Sequence, residues 1–145
     1  MASDSFTIAP IPSLFMQQDR KAILCLCHDS HMLEIRCMLL EHFGYRVLPS
    51  RTVEDAKLMV EDACPDMLLM DNGDPSVDYE QLAQQVKQMC PDVITVVLSP
   101  YYRVYRNGSM GSIDRFVVKD DGPDALLSQI QELLGDQPLR KLRPI

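Results

Sequence analysis

Pro65-Asp66-Met67-Leu68-Leu69-Met70-Asp71 runs directly into Asn72-Gly73-Asp74-Pro75, and this stretch decides the fold. Met67 to Met70 carry no polar residue, the pattern of a strand covered on both faces in a parallel sheet. The run stops abruptly at a carboxylate and a turn, so Asp71 stands where the strand emerges at its carboxyl end. In open α/β sheets that edge is where ligands bind. A carboxylate there is a candidate nucleophile, metal ligand or both. Which of these it is depends on what the other strands bring to the same edge.

Working outward, strand and helix patterns alternate. Lys21 to Cys27 is apolar enough for a buried strand. Ser30 can cap a helix running to Phe43, with Met32, Ile35, Leu39 and Phe43 on one stripe at helical spacing. Gly44 stops it, and Tyr45 to Leu48 forms a short second strand. Thr52-Val53-Glu54-Asp55 has the form of a capping box. It opens a helix that turns Val53, Ala56, Val60 and Ala63 inward and ends at Cys64, before Pro65. After the Asp71 strand, Tyr79, Leu82, Ala83, Val86 and Met89 define a third helix, ended by Cys90-Pro91. Val93 to Leu98 is a fourth strand and Phe116 to Val118 a fifth. Pro123 opens a last helix with Leu126, Ile130, Leu133 and Leu134 apolar, and Gly135 closes it.

Cys64-Pro65-Asp66 and Cys90-Pro91-Asp92 echo one another as punctuation at the same kind of junction, helix into strand. One segment breaks the rhythm. Tyr101 to Ile113 holds Asn107-Gly108 and Gly111 among three tyrosines, so an irregular segment is expected in place of a full fourth helix. Tyr101, Tyr102 and Tyr105 are either a partner-binding patch or a loop over the sheet edge. Alternating strands and helices imply right-handed crossovers and a parallel sheet. The predicted fold is α/β, a flavodoxin-like doubly wound five-stranded parallel sheet in the order 2-1-3-4-5. Residues 1–20 read as an N-terminal extension broken by Pro10 and Pro12, 21–135 as the domain, and 136–145 as a tail.

At 145 residues the chain has room for one real core. Its formal net charge of -7 argues against nucleic acid or an anionic membrane as a partner. No stretch is apolar for long enough to span a bilayer, and Met1 to Asp19 lacks the features of a secretory signal. The five cysteines (Cys25, Cys27, Cys37, Cys64, Cys90) are an odd number scattered through apparent core elements. They read as reduced thiols in a cytoplasmic protein, not as a disulfide framework.

In the predicted sheet order, the residues just past strands one, three, four and five gather in one cleft: Cys27-His28-Asp29, Asp71, Ser99 and Lys119. A carboxylate, a hydroxyl and an ammonium converging there suit phosphoryl transfer. The carboxylate attacks, the lysine offsets phosphoryl charge, and the hydroxyl donates to a phosphoryl oxygen. Such chemistry also uses a divalent cation, usually Mg²⁺.

On these residues the chain resembles the receiver domains of bacterial two-component response regulators, over about Lys21 to Leu134. The matching points are Asp71 with Pro75 four residues on, Ser99 after the fourth strand, and Phe116-Val117-Val118-Lys119. The resemblance implies that Asp71 is the phosphoacceptor, Lys119 and Ser99 sense the phosphoryl group, and Phe116 is the switch aromatic. It implies Mg²⁺ held by Asp71, Asp29 and the backbone carbonyl of Gly73. The implied partners are a histidine kinase or phosphotransfer protein and a downstream protein; a homodimer is left open. Catalysis is limited to self-dephosphorylation.

The departures from the family pattern are as specific. Receivers carry an acidic pair just after strand one; counting back from Gly44 places Cys27 and His28 there, with Asp29 one residue late. Cys and His are softer ligands than Mg²⁺ prefers. Asp120 stands where a proline usually follows the lysine. The first expectation is thus a stand-alone phosphoacceptor of a phosphorelay. The alternative is a pseudo-receiver, never phosphorylated, that serves as an interaction module. A nucleotide-binding reading is weaker, because Cys27 to Ser30 contains no glycine to bring backbone amides against a phosphate. A transition-metal reading of Cys27-His28-Asp29 with His31 fails for want of a second ligand cluster.

Overall fold

The computed structural model describes residues 20–100 and 111–135. Five parallel strands, β1 (Ala22–Leu26), β2 (Arg46–Ser50), β3 (Met67–Asp71), β4 (Ile94–Ser99) and β5 (Arg115–Val118), form one sheet. Their order is β2-β1-β3-β4-β5, as expected. The helices are α1 (Ser30–His42), α2 (Val53–Asp62), α3 (Tyr79–Met89) and α4 (Gly122–Leu134), the last preceded by a single 3-10 turn at Lys119–Asp121. The expected extension, the three tyrosines, most of the irregular segment and the tail lie outside the described residues.

The apolar run of β3 is buried throughout, and its side chains alternate between two cores. Met67 and Leu69 join Ile23, Cys25, Val96 and Leu98 in the core under α1 and α4, where Leu33, Leu40, Leu126 and Ile130 close the layer. Leu68 and Met70 join Leu24, Leu26 and Val97 in the core under α2 and α3, closed by Ala56, Val60, Leu82 and Val86. β2 is an edge strand, which is why it tolerates Pro49, a residue with no N–H to give to a ladder.

Four local expectations are corrected. The cap of α1 is Asp29, not Ser30: its carboxylate accepts from the backbone N–H groups of His31 and Met32 at 2.9 and 3.2 Å. The buried stripe of α1 is Leu33, Arg36 and Leu40, one residue round from the predicted one, while Ile35 is 45% exposed. The cysteines are not all reduced. Cys64 and Cys90 form a disulfide with a Cα–Cα distance of 5.8 Å, leaving Cys25, Cys27 and Cys37 as thiols. At the end of α2, Ala63 is exposed where it was expected to face inward. Among the described residues, no helix is long and apolar enough to cross a membrane.

Candidate functional site

Asp71 ends β3, paired in register with Leu98 of β4, and is 5% exposed. By strand alternation its side chain falls on the α1 side of the sheet, with Met67, Leu69, Cys25 and Cys27. A carboxylate buried to this extent must be paired, because its desolvation is otherwise too costly. Two cations pair it. Lys119, the first residue after β5, places Nζ 2.6 Å from Asp71 Oδ1. Arg36, from the second turn of α1, donates Nη1 to Asp71 Oδ2. Arg36 is itself only 7% exposed.

Cys27 completes the group. Its Sγ lies 3.5 Å from Asp71 Oδ2, and Arg36 Nη1 lies 3.5 Å from the sulfur. Burial pushes the Cys27 thiol up from its ordinary value, and the negative charge of Asp71 acts in the same direction. At neutral pH Cys27 is therefore a neutral S–H donor toward the carboxylate.

The remaining residues of the predicted cleft are placed as follows. Ser99 ends β4 opposite Val118 and is buried. Phe116 packs, partly buried, against the core under α2 and α3. His28 is exposed and turns toward Gly73: a Cβ on Gly73 would come 2.9 Å from His28 Cε1 and 3.2 Å from Asp71 Oδ1, so a side chain there would have to push the imidazole aside. Asp29 is spent at the mouth of α1. The N–H groups of Met32 and His31 hold its carboxyl below its ordinary value, where it is an exposed helix cap.

These placements test Mg²⁺ directly. A hard dication needs several oxygen ligands, ordinarily more than one carboxylate. The two carboxylates expected to supply them, Asp71 and Asp29, are otherwise engaged. Among the described residues Asp71 is the single buried carboxylate, and each of its oxygens already meets a cation. Cys27 presents sulfur, and Asp29 is committed to its cap. Among the described residues, no three His, Cys, Asp or Glu side chains are grouped to hold a metal.

Arg36 is the residue of this cleft that sequence reading missed. A charged residue within a helix reads as solvent-facing, and Met32, Ile35 and Leu39 offer an equally regular apolar stripe one position round.

Comparison with solved structures confirms the architecture. The chain superposes on a CheY-like response regulator receiver domain protein from Methanospirillum hungatei with a TM-score of 0.69 at 22% identity, over 79% of this chain and 93% of that one. The response regulator TrrA from Thermotoga maritima, solved in complex with Mg²⁺ and BeF, gives a TM-score of 0.69 at 22% identity, over 79% and 99%. The chemotaxis protein CheY4 of Vibrio cholerae gives 0.71 at 17% identity, also over 79% and 99%. This chain has the receiver fold. No protein-family model matches it, and no curated protein matches its sequence. Within the receiver fold, the end of β3 is the position Asp71 occupies, and the ends of β1, β4 and β5 supply its neighbours Cys27, Ser99 and Lys119.

Proposed function

We propose that this chain is a pseudo-receiver of two-component signalling, a module that acts through protein–protein contacts with an Asp71 that is not phosphorylated. The observation that carries the reading is the double pairing of Asp71. For the carboxylate to attack a phosphoryl donor it needs an oxygen whose electron density is not drawn off by direct contact with a cation, and a metal to align the donor. Here Arg36 holds one oxygen and Lys119 the other, and the donor set does not suit Mg²⁺. The two cations hold the carboxylate in one fully paired arrangement. No catalytic turnover is part of this role.

The module meets its partners through its surface, and α1 offers apolar material for that. Ile35 and Met38 are 45% and 65% exposed, beside an apolar groove of about 190 Å³ between α1 and α4. Arg36 and Lys119 are among the residues lining the same groove, which therefore adjoins the paired site.

One observation favours the phosphoaccepting alternative. Lys119 already sits 2.6 Å from Asp71, and Ser99 ends the adjacent strand, the pair of groups that phosphoryl recognition by Asp71, Lys119, Ser99 and the switch aromatic Phe116 would use. Intact-mass spectrometry after incubation with a small acyl phosphate separates the two readings, with Mg²⁺ and, separately, with EDTA. No added phosphoryl group in either condition is the expected result. A single adduct on the wild type that is absent from Asp71→Asn would replace this proposal with the phosphoacceptor.

A further inference from the structure

We infer that Arg36 is a resident substitute for the divalent cation: a covalently tethered positive charge that offsets the buried carboxylate and excludes metal. The inference concerns the regulation of the same cleft and rests on reading it as a receiver-type site. Its consequence is specific. The charge state of the cleft is set by the sequence and not by the metal concentration around the protein.

Three features of the cleft make the argument. First, the cation is built in from the helix side. Arg36 leaves α1 among the buried residues Leu33 and Leu40 and reaches the Asp71 carboxylate from within the core. A guanidinium keeps its charge at any ordinary pH and presents several N–H donors in a fixed plane, so one end can meet both a carboxylate oxygen and a sulfur. The contacts of Nη1 with Asp71 Oδ2 and Cys27 Sγ are this arrangement.

Second, the β1 end matches the substitution. Cys27 follows β1 as a small, neutral, weakly donating side chain, and it leaves room for a guanidinium. A carboxylate at the same place would hold either a metal or the arginine. Arginine at 36 and a thiol at 27 therefore belong together, a cation gained where an anion is lost. Third, the negative charge of Asp71 is already more than matched without a metal. Among the described residues, the cleft holds one buried carboxylate, and the near-buried Arg36 with the part-exposed Lys119 already offsets it. A dication would enter beside two fixed positive charges and with one carboxylate to share.

The test uses the full chain and Mn²⁺ as the probe, with free Mn²⁺ counted by electron paramagnetic resonance. Wild type is expected to take up no Mn²⁺ up to about 5 mM, a range that covers weak metal sites. The double variant Cys27→Asp/Arg36→Met removes the tethered cation and returns a second carboxylate. It is expected to gain one Mn²⁺ site at least ten-fold tighter than any wild-type uptake. Cys27→Asp alone keeps Arg36, which pairs the new carboxylate, and is expected to stay without metal. Arg36→Lys, which keeps the charge, is expected to do the same.

Circular dichroism confirms that each variant is folded. Should the double variant not fold, Cys27→Asp and Arg36→Lys still decide the matter, because tight Mn²⁺ binding by either overturns the inference. So does a folded double variant that binds none, or a wild type that binds one Mn²⁺. This outcome is separate from the proposed function. A wild type that accepts a phosphoryl group in EDTA refutes the pseudo-receiver while leaving Arg36 as the cation.

Discussion

Replacing Asp71 with asparagine tests the electrostatics of the cleft through the sign of the stability change. In a cleft built of several carboxylates, removing one relieves like-charge repulsion and stabilises the fold. Here the same substitution strands a buried guanidinium. Breaking a buried ion pair by deleting one partner costs about 3–5 kcal/mol. Two features reduce that figure. The asparagine carbonyl remains a neutral acceptor for Arg36, worth about 1 kcal/mol, and the Lys119 side chain is 29% exposed and can turn toward water. Asp71→Asn should therefore destabilise by about 2–3 kcal/mol, a fall in Tm of roughly 6–12 °C for a domain of this size. Urea unfolding followed by far-ultraviolet circular dichroism, in EDTA and without reductant, reads it directly. Adding Arg36→Met to Asp71→Asn should cost less than the sum of the two single changes, because the second substitution removes the stranded charge. An Asp71→Asn midpoint equal to or above that of wild type would refute the pairing and return the cleft to an acidic pocket.

Two further outcomes follow from other parts of the molecule. The Cys64–Cys90 disulfide closes a 26-residue separation, so reduction should lower stability by about 3 kcal/mol on the chain-entropy account. Thiol titration of denatured, unreduced protein should find the three free cysteines; five would mean that the bridge is absent. At Asp114, burial alone would raise the carboxyl. The hydrogen bond from Lys87 and the N–H of Thr95 outweigh it, and the group is held below its ordinary value of 3.8. A depressed folded-state pKa stabilises above the unfolded value, and that contribution is lost as pH falls through the lower folded one. Stability should thus decline as pH drops below about 4, less steeply in Asp114→Asn; equal slopes in urea midpoints across pH 2 to 5 would refute the assignment.

Much of the cleft was legible because parallel strands are punctuated so clearly. The unbroken apolar run before Asp71 identifies a strand covered on both faces, and alternation along it then assigns Asp71 to the α1 side. Once the strand order follows from the alternation of elements, Ser99 and Lys119 arrive at the same edge without further assumptions. Arg36 was not legible by the same logic. Helical periodicity counts apolar residues, and a stripe with an arginine at its centre scores below one without. What rotates α1 by one position is a partner 35 residues away in sequence, the Asp71 carboxylate, which only the folded chain reveals. The short side chain of Cys27 at a position where the family carries an acid was the available signal. With the metal-holding acid gone, the inner oxygen of a retained buried carboxylate is left to be met by a side chain from some other element.

The disulfide shows the opposite case, a signal present in the sequence and read too weakly. Cys64-Pro65-Asp66 and Cys90-Pro91-Asp92 are the same junction in successive units, each ending a helix and entering a strand. The two strands they enter are β3 and β4, which are parallel neighbours with Met67 in register with Ile94. Equivalent junctions before neighbouring parallel strands lie side by side at the amino edge of the sheet, about one strand spacing apart. That distance is close to the Cα separation a disulfide needs, and the observed 5.8 Å falls within it. An odd cysteine count argues only that one thiol stays unpaired, not that all do. The repeat at the junctions, combined with the strand order, was sufficient to pair Cys64 with Cys90 and to leave Cys25, Cys27 and Cys37 on the other core as thiols.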